Sequence, residues 1–283
     1  MIKKMILAAL TLFVLTASTP QKVTTIFIIG DSTAAKKDLS KGSPERGWGM
    51  ALQCYFDEAF VRVDNHAVNG RSSLSFIHEK RWDKVLSLIQ PGDYVIIQFG
   101  HNDEKDGATR HTDPGSTFDY TLAKYVRETR EKGGVPVLMN PVVRRNFAKK
   151  QVASAGDDES LRNTTFKDGG KTVEGDSLKD THGLYAVAPR DVAQRMNCLF
   201  VDANKITHDL EQGLGVEGSK KLHMWYKPGE HPALPKGRQD NTHYNIYGAH
   251  QVARLFAEAL CQEIPLLSKY RTDDSPCKME QPK

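Results

Sequence analysis

Hydrophobic positions gather into five short runs along the chain, and the stretches between them change period. Residues 24–29 form a β-branched run that stops at Gly30, 61–66 alternate, 94–99 are apolar and stop at Gly100, 135–139 repeat the theme, and 198–201 are short. Each predicts a strand, and four are the near-continuous apolar runs of a parallel sheet covered on both faces. Helix-like segments lie between them, at about 49–59, 82–89, 118–132, 184–196 and 206–214. A last helix over 247–263 shows Val252, Leu255, Phe256 and Leu260 at helical spacing, and Pro265 ends it. Strand–helix alternation of this kind predicts an α/β fold: three layers, α/β/α, flavodoxin-like, with a doubly wound parallel five-stranded sheet and a ligand site at the carboxyl ends of its strands.

Two stretches break the pattern. Residues 140–180 are rich in Gly, Asp, Lys and Thr with little apolar content, whereas 222–239 carry Trp225, Tyr226, Pro228, Pro232 and Pro235. Loops this long are functional or disordered. The second leads into Asp240 and is read as the wall of a binding cleft.

Composition narrows the picture. The chain's 283 residues suit one α/β domain with insertions, expected over 19–283 with a polar tail from about 268. Residues 1–18 begin with Lys3 and Lys4, continue through an apolar run at 5–15 and end in Thr16-Ala17-Ser18. This is the layout of a cleaved signal peptide, too short to span a bilayer, and it predicts a secreted or periplasmic protein with no membrane insertion. The formal charge of +4 falls to +2 without Lys3 and Lys4 (4 − 2 = 2), and no basic run points to nucleic acid. Of the four cysteines, Cys54 and Cys198 lie in apolar stretches and read as buried thiols, while Cys261 and Cys277 could staple the tail to the last helix. Oligomeric state is not legible.

Three separated motifs supply the parts of an acyl-transfer hydrolase. Gly30-Asp31-Ser32 follows the first strand, so Ser32 is expected on the turn toward a helix, beside outward-pointing backbone N–H groups. Asp240-Asn241-Thr242-His243 sets a carboxylate three residues before an imidazole. In a turn or first helical turn, Asp240 can hold His243 Nδ1–H and leave Nε2 to take the Ser32 proton; Pro232, Pro235 and Gly237 place this motif in a loop. Gly100-His101-Asn102-Asp103 follows the third strand, and the Asn102 amide can donate to an oxyanion together with the N–H groups of Gly70 and Ser32. Asp31 and Asp103 read as turn and supporting residues. No His-Glu-x-x-His or comparable spacing occurs, so neither metal nor other cofactor is expected.

The ordered set Gly30-Asp31-Ser32, Gly70, Gly100-His101-Asn102-Asp103 and Asp240-x-x-His243 resembles the SGNH or GDSL-like hydrolases, whose four blocks contribute Ser, Gly, Asn and His. Further motifs, Gly47-Trp48-Gly49, Asn69-Gly70-Arg71-Ser72, Arg144-Arg145-Asn146-Phe147 and Asp180-Thr181-His182-Gly183, make it most similar to the rhamnogalacturonan acetylesterase group over about 24–260. The resemblance implies a three-layer α/β/α fold, a metal-free Ser32–His243–Asp240 mechanism, and removal of acetyl groups from pectic backbones. Residues 148–174 look longer than the family pattern, which leaves the cleft's shape open.

For a saccharide leaving group, Trp48, Trp225 and Tyr226 offer aromatic faces, and Arg71 and Arg144 offer planar cations for a uronate carboxylate. The partner expected is therefore an acetylated polysaccharide or oligosaccharide. Alternatives are an SGNH esterase acting on acetylxylan, a lysophospholipid or a thioester, and a carbohydrate-binding protein without turnover.

Overall fold

The computed structural model describes residues 22–147 and 175–272. The leader region (1–18), the long segment at 148–174 and Cys277 lie outside the described residues.

Five strands form one parallel sheet: β1 (Thr24–Gly30), β2 (Val61–Asn65), β3 (Tyr94–Gln98), β4 (Val135–Met139) and β5 (Leu199–Val201), in the order β2-β1-β3-β4-β5. That order is the flavodoxin-like one, in which the connections reverse direction between β1 and β3 and open a crevice at their carboxyl ends. Every strand expected from the hydrophobic runs is present, with ends shifted by one residue at most.

Alternation along β1 builds two cores. Ile26 and Ile28 point to one face, where Trp48, Val252, Phe256 and Leu260 cover them. Phe27 and Ile29 point to the other, against Phe76, Trp82, Phe118, Tyr125 and Val192. The first face carries α1 (Trp48–Ala51, continued as a 3-10 turn), α6 (Ala203–Ser219) and α7 (Ile246–Glu263). The second carries α2 (Ser73–His78), α3 (Arg81–Leu86), α4 (Thr117–Glu131) and α5 (Leu184–Arg195). These are the three layers the alternation predicts.

Several expectations are corrected. Residues 222–239 are no simple loop, because β6 (His223–Tyr226) pairs antiparallel with β7 (Arg238–Tyr244). The helix expected over 49–59 is a single α-turn followed by a 3-10 turn, and α2 was not foreseen. In the stretch from 140, Val143 and Phe147 join Leu178 in a small third core. The beginning of the polar tail is tied down: Tyr270 stacks on Phe60 with centroids 4.6 Å apart, and Asp57 N–H donates to Tyr270 O. Cys54 is disulfide-bonded rather than a buried thiol, whereas Cys198 carries a thiol; the expected Cys261–Cys277 staple involves Cys277, outside the described residues. Among the described residues no helix is long and apolar enough to cross a membrane.

Candidate active site

The turn after β1 presents Ser32. Asp31 Oδ1 accepts from Thr33 N–H (2.9 Å) and Thr33 Oγ (2.8 Å), and Ala35 N–H closes back on Asp31 O at 3.1 Å. This is a free-standing turn, not the start of a helix, because the next helix begins only at Trp48. Any oxyanion donor at Ser32 is therefore a turn amide. Burial is the main influence on Asp31 and raises its carboxyl above the ordinary range against the Thr33 hydrogen bonds.

Asp240 and His243 belong to β7, not to a loop or helical turn. Gln239 pairs with Trp225 and Tyr244 with His223, so four residues on β7, 240–243, face one residue on β6. They bulge out of the ladder, which frees them from the alternation that would send residues three apart to opposite faces. Asp240 Oδ1 accepts from the N–H groups of Thr242 and His243, both at 2.9 Å, and this curls the bulge around the carboxylate. Trp225 anchors it from outside: its indole N–H donates to Asn241 Oδ1 at 2.9 Å, while Arg145 and Lys220 lie about 5 Å from its ring.

Within this arrangement His243 Nδ1 lies 2.9 Å from Asp240 Oδ2, and His243 Nε2 lies 2.9 Å from Ser32 Oγ. The acceptor-only carboxylate requires the proton on Nδ1, so Nε2 accepts from the serine hydroxyl. All three side chains are buried, Ser32 at 8% exposure, His243 at 3% and Asp240 at 0%. Burial alone would raise Asp240, but the charges of His243 and Arg238 and the hydrogen bonds it accepts hold its carboxyl well below the usual range.

The turn after β3 carries Asn102. Gly100 has φ +140°, and a Cβ there would meet Pro141 Cγ at 2.8 Å, so only glycine turns the chain here. Asp103 clamps this turn to the start of α2, accepting from Gly100 N–H (3.1 Å), Ser73 N–H (3.0 Å), Ser73 Oγ (2.5 Å) and Thr112 Oγ (2.8 Å). Burial nonetheless pushes its carboxyl up to about 7. Asn102 donates one amide hydrogen to Arg71 O at 3.1 Å, which ties it to the turn holding Gly70, where φ is +75°. That turn is joined to Ser32 as well, since Val68 N–H donates to Gly30 O and Lys37 Nζ reaches both Ser32 O (2.6 Å) and Asn69 Oδ1 (2.8 Å). Ser32, Gly70 and Asn102 thus lie on three turns stitched together at the β1/β3 crevice.

The candidate saccharide contacts fare unevenly. Trp48 has no exposed surface; its ring packs edge-on against Phe256 and its N–H donates to Gln98 Oε1, so it is core and not a sugar platform. Arg144 is likewise turned inward, onto Glu104 and Thr181 Oγ, beside His182 and His101. Trp225 supports the bulge as described. Arg71, in an ion pair with Glu79, and Tyr226, beside a pocket with Asn245, Tyr247 and His250, keep partly exposed side chains.

Sequence reasoning missed three charged residues. Arg238 donates to Asp240 Oδ2 (2.5 Å) and Glu45 Oε2 (2.8 Å), and Glu45 Oε1 in turn meets Lys37 Nζ at 2.8 Å. Despite the cost of burial, Lys37, His243 and Arg238 hold Glu45 down to about 2. Nothing in local sequence separates these three from solvated surface charges.

A doubly wound sheet with a hydroxyl, an imidazole and a carboxylate in line at its crevice has the layout of a serine-type hydrolase. The family model for the GDSL-like lipase/acylhydrolase family matches residues 28–235, and the chain belongs to that family. It is 36% identical, over 83% of its length and 88% of the relative's, to the rhamnogalacturonan acetylesterase RhgT of Bacillus subtilis. A rhamnogalacturonan acetylesterase of Emericella nidulans is 27% identical over 86% of this chain and 87% of its own. The expected resemblance to that acetylesterase group is therefore borne out, and the protein is a carboxylic ester hydrolase. Among solved structures, the YxiM protein of Bacillus subtilis superposes with a TM-score of 0.63 at 23% identity, over 86% of this chain and 57% of that longer one. The acetylxylan esterase Axe2 of Geobacillus stearothermophilus gives 0.51 at 18% identity, over 86% of this chain and 96% of its own. At these identities the likeness is one of fold.

Proposed function

We propose that this hydrolase is an exported carbohydrate acetylesterase that deacetylates rhamnogalacturonan through a Ser-His-Asp acyl-enzyme mechanism. The observation that carries the mechanism is the continuous line Ser32 Oγ–His243 Nε2, His243 Nδ1–Asp240. As the Ser32 oxygen attacks the acetyl carbonyl, its proton passes to His243 Nε2, and the imidazolium is stabilised by the Asp240 carboxylate. The carbonyl oxygen becomes an oxyanion and accepts from Ser32 N–H, Gly70 N–H and the Asn102 amide. Collapse of the intermediate breaks the bond to the sugar oxygen, which leaves with the proton from His243. Water, deprotonated by the same imidazole, then attacks the acetyl-enzyme, and acetate departs as Ser32 regains its proton.

The substrate class rests on relatives named as rhamnogalacturonan acetylesterases; the partly exposed Arg71 guanidinium, which pairs with Glu79, is the candidate to meet a uronate carboxylate. Export rests on the charged, apolar and small-residue order of residues 1–18. Acetate release from acetylated rhamnogalacturonan, acetylated xylan and a long-chain nitrophenyl ester tests the assignment. Release chiefly from the pectic polymer is expected. Preference for xylan or for the long-chain ester contradicts the substrate and leaves the ester chemistry standing.

A further inference from the structure

Between the triad carboxylate and the main chain of the nucleophile runs a second path that no catalytic step above uses. From Asp240 it passes to Arg238 (2.5 Å), Glu45 (2.8 Å) and Lys37 (2.8 Å), and Lys37 returns to Ser32 O (2.6 Å). Together with the Ser32–His243–Asp240 line it closes a ring. We infer that Lys37, Glu45 and Arg238 are positioning residues, an ionic strap that holds the nucleophile, the His–Asp bulge and the Asn69–Gly70 turn in one frame; the inference rests on the triad proposed above.

Three observations support it. The strap is buried, with side-chain exposures of 4% for Lys37, 10% for Glu45 and 9% for Arg238. Buried ion pairs are a poor source of net stability, and apolar residues of similar size often do as well or better, so three strap charges retained beside Asp240 fit registry more readily than folding energy. The bonding is also specific. Arg238 divides its fork between two carboxylates, and Lys37 meets three acceptors, Ser32 O, Asn69 Oδ1 and Glu45 Oε1, one for each ammonium hydrogen. Finally, the strap's own backbone is tied to the chain just past the bulge: Glu45 forms a bridge with Asn245, and Arg46 N–H donates to Tyr244 O at 3.0 Å.

The strap also sets the charge around the base. With His243 neutral, two cations face two carboxylates and the ring sums to zero. Asp240 and Glu45 favour the imidazolium, and Arg238 and Lys37 oppose it. His101, on the turn after β3, is a further titratable group coupled to His243, and burial, with His182 beside it, lowers it well below the ordinary histidine value. Deleting one strap charge therefore moves the acid limb of kcat/KM, which reports the base in the free enzyme. Removing the Glu45 charge makes His243 harder to protonate and moves the limb to lower pH; removing that of Arg238 moves it to higher pH.

The test is the pH profile of kcat and KM on nitrophenyl acetate for wild type, Glu45→Gln, Arg238→Gln and Ser32→Ala, with thermal melts on each. The expected result is a kcat lowered on the order of tenfold in both strap variants with little change in KM. The acid limbs should move in opposite directions, by about one pH unit each. Limbs that stay put, or that move the same way, overturn the inference. If a charge deletion prevents folding, Arg238→Lys keeps the charge but cannot fork between two carboxylates. It should leave the limb in place and lower kcat severalfold, and an unchanged kcat overturns the inference equally. Retained turnover in Ser32→Ala would instead remove the triad on which the strap depends.

Discussion

Ser32→Ala is expected to lower kcat by on the order of 10⁴ to 10⁶ while leaving KM and thermal stability close to wild type. The size follows from what the hydroxyl does. In the proposed mechanism it is the atom that forms the new bond; it sits 2.9 Å from His243 Nε2, and its replacement would remove both the nucleophile and the proton that the base takes. Stability should hold because the Ser32 contacts that organise the turn are made by its main chain, through Lys37 to the carbonyl, and by the Asp31–Thr33 hydrogen bonds. Activity of the variant is to be followed as acetate release over hours, since residual oxyanion stabilisation leaves a measurable rate. Turnover within tenfold of wild type would contradict the nucleophile assignment.

Asp240→Asn is expected to give the second large effect, a fall in kcat of about 10³- to 10⁴-fold. An amide of the same shape no longer forces the Nδ1–H tautomer, and it withdraws the charge that stabilises the imidazolium. The sign of the pH effect follows. Asp240, held well below the usual carboxylate range, is ionised throughout the working range, so its loss makes His243 harder to protonate. The acid limb of the remaining activity should move to lower pH, in the same direction as for Glu45→Gln and further, because Asp240 touches the ring directly. Stability should fall too, since Arg238 is left with the Glu45 carboxylate alone. A limb displaced to higher pH, or a kcat loss below tenfold, would contradict Asp240 as the partner of the base.

How far the sequence discloses this molecule depends on whether the information is local. The five parallel strands are legible because burial on both faces demands unbroken β-branched and aliphatic runs, as in Ile26, Phe27, Ile28 and Ile29, which feed two cores alternately. The β6–β7 ribbon is not, because Arg238–Tyr244 is polar and four of its residues leave the ladder, erasing the alternation that marks a strand. Ser32, Asn102, Asp240 and His243 stand out as motifs; the strand order sets β3 and so Asn102 beside β1 and Ser32, whereas Asp240 and His243 arrive on the separate β6–β7 ribbon. Trp48 misleads for a related reason. Between two glycines it looks like an exposed platform, yet Phe256, far along the chain, closes over it. Lys37, Glu45 and Arg238 are ordinary charges in polar segments, and only the fold shows that they face each other across 193 residues of sequence.

The most direct test is to look for the covalent intermediate. Wild type mixed with nitrophenyl acetate, quenched in acid during turnover and digested for mass spectrometry, should carry one acetyl group on the peptide containing Ser32, and Ser32→Ala should carry none there. Steady turnover with no acetyl on that peptide, or with the acetyl on another residue in both proteins, would contradict a serine acyl-enzyme mechanism.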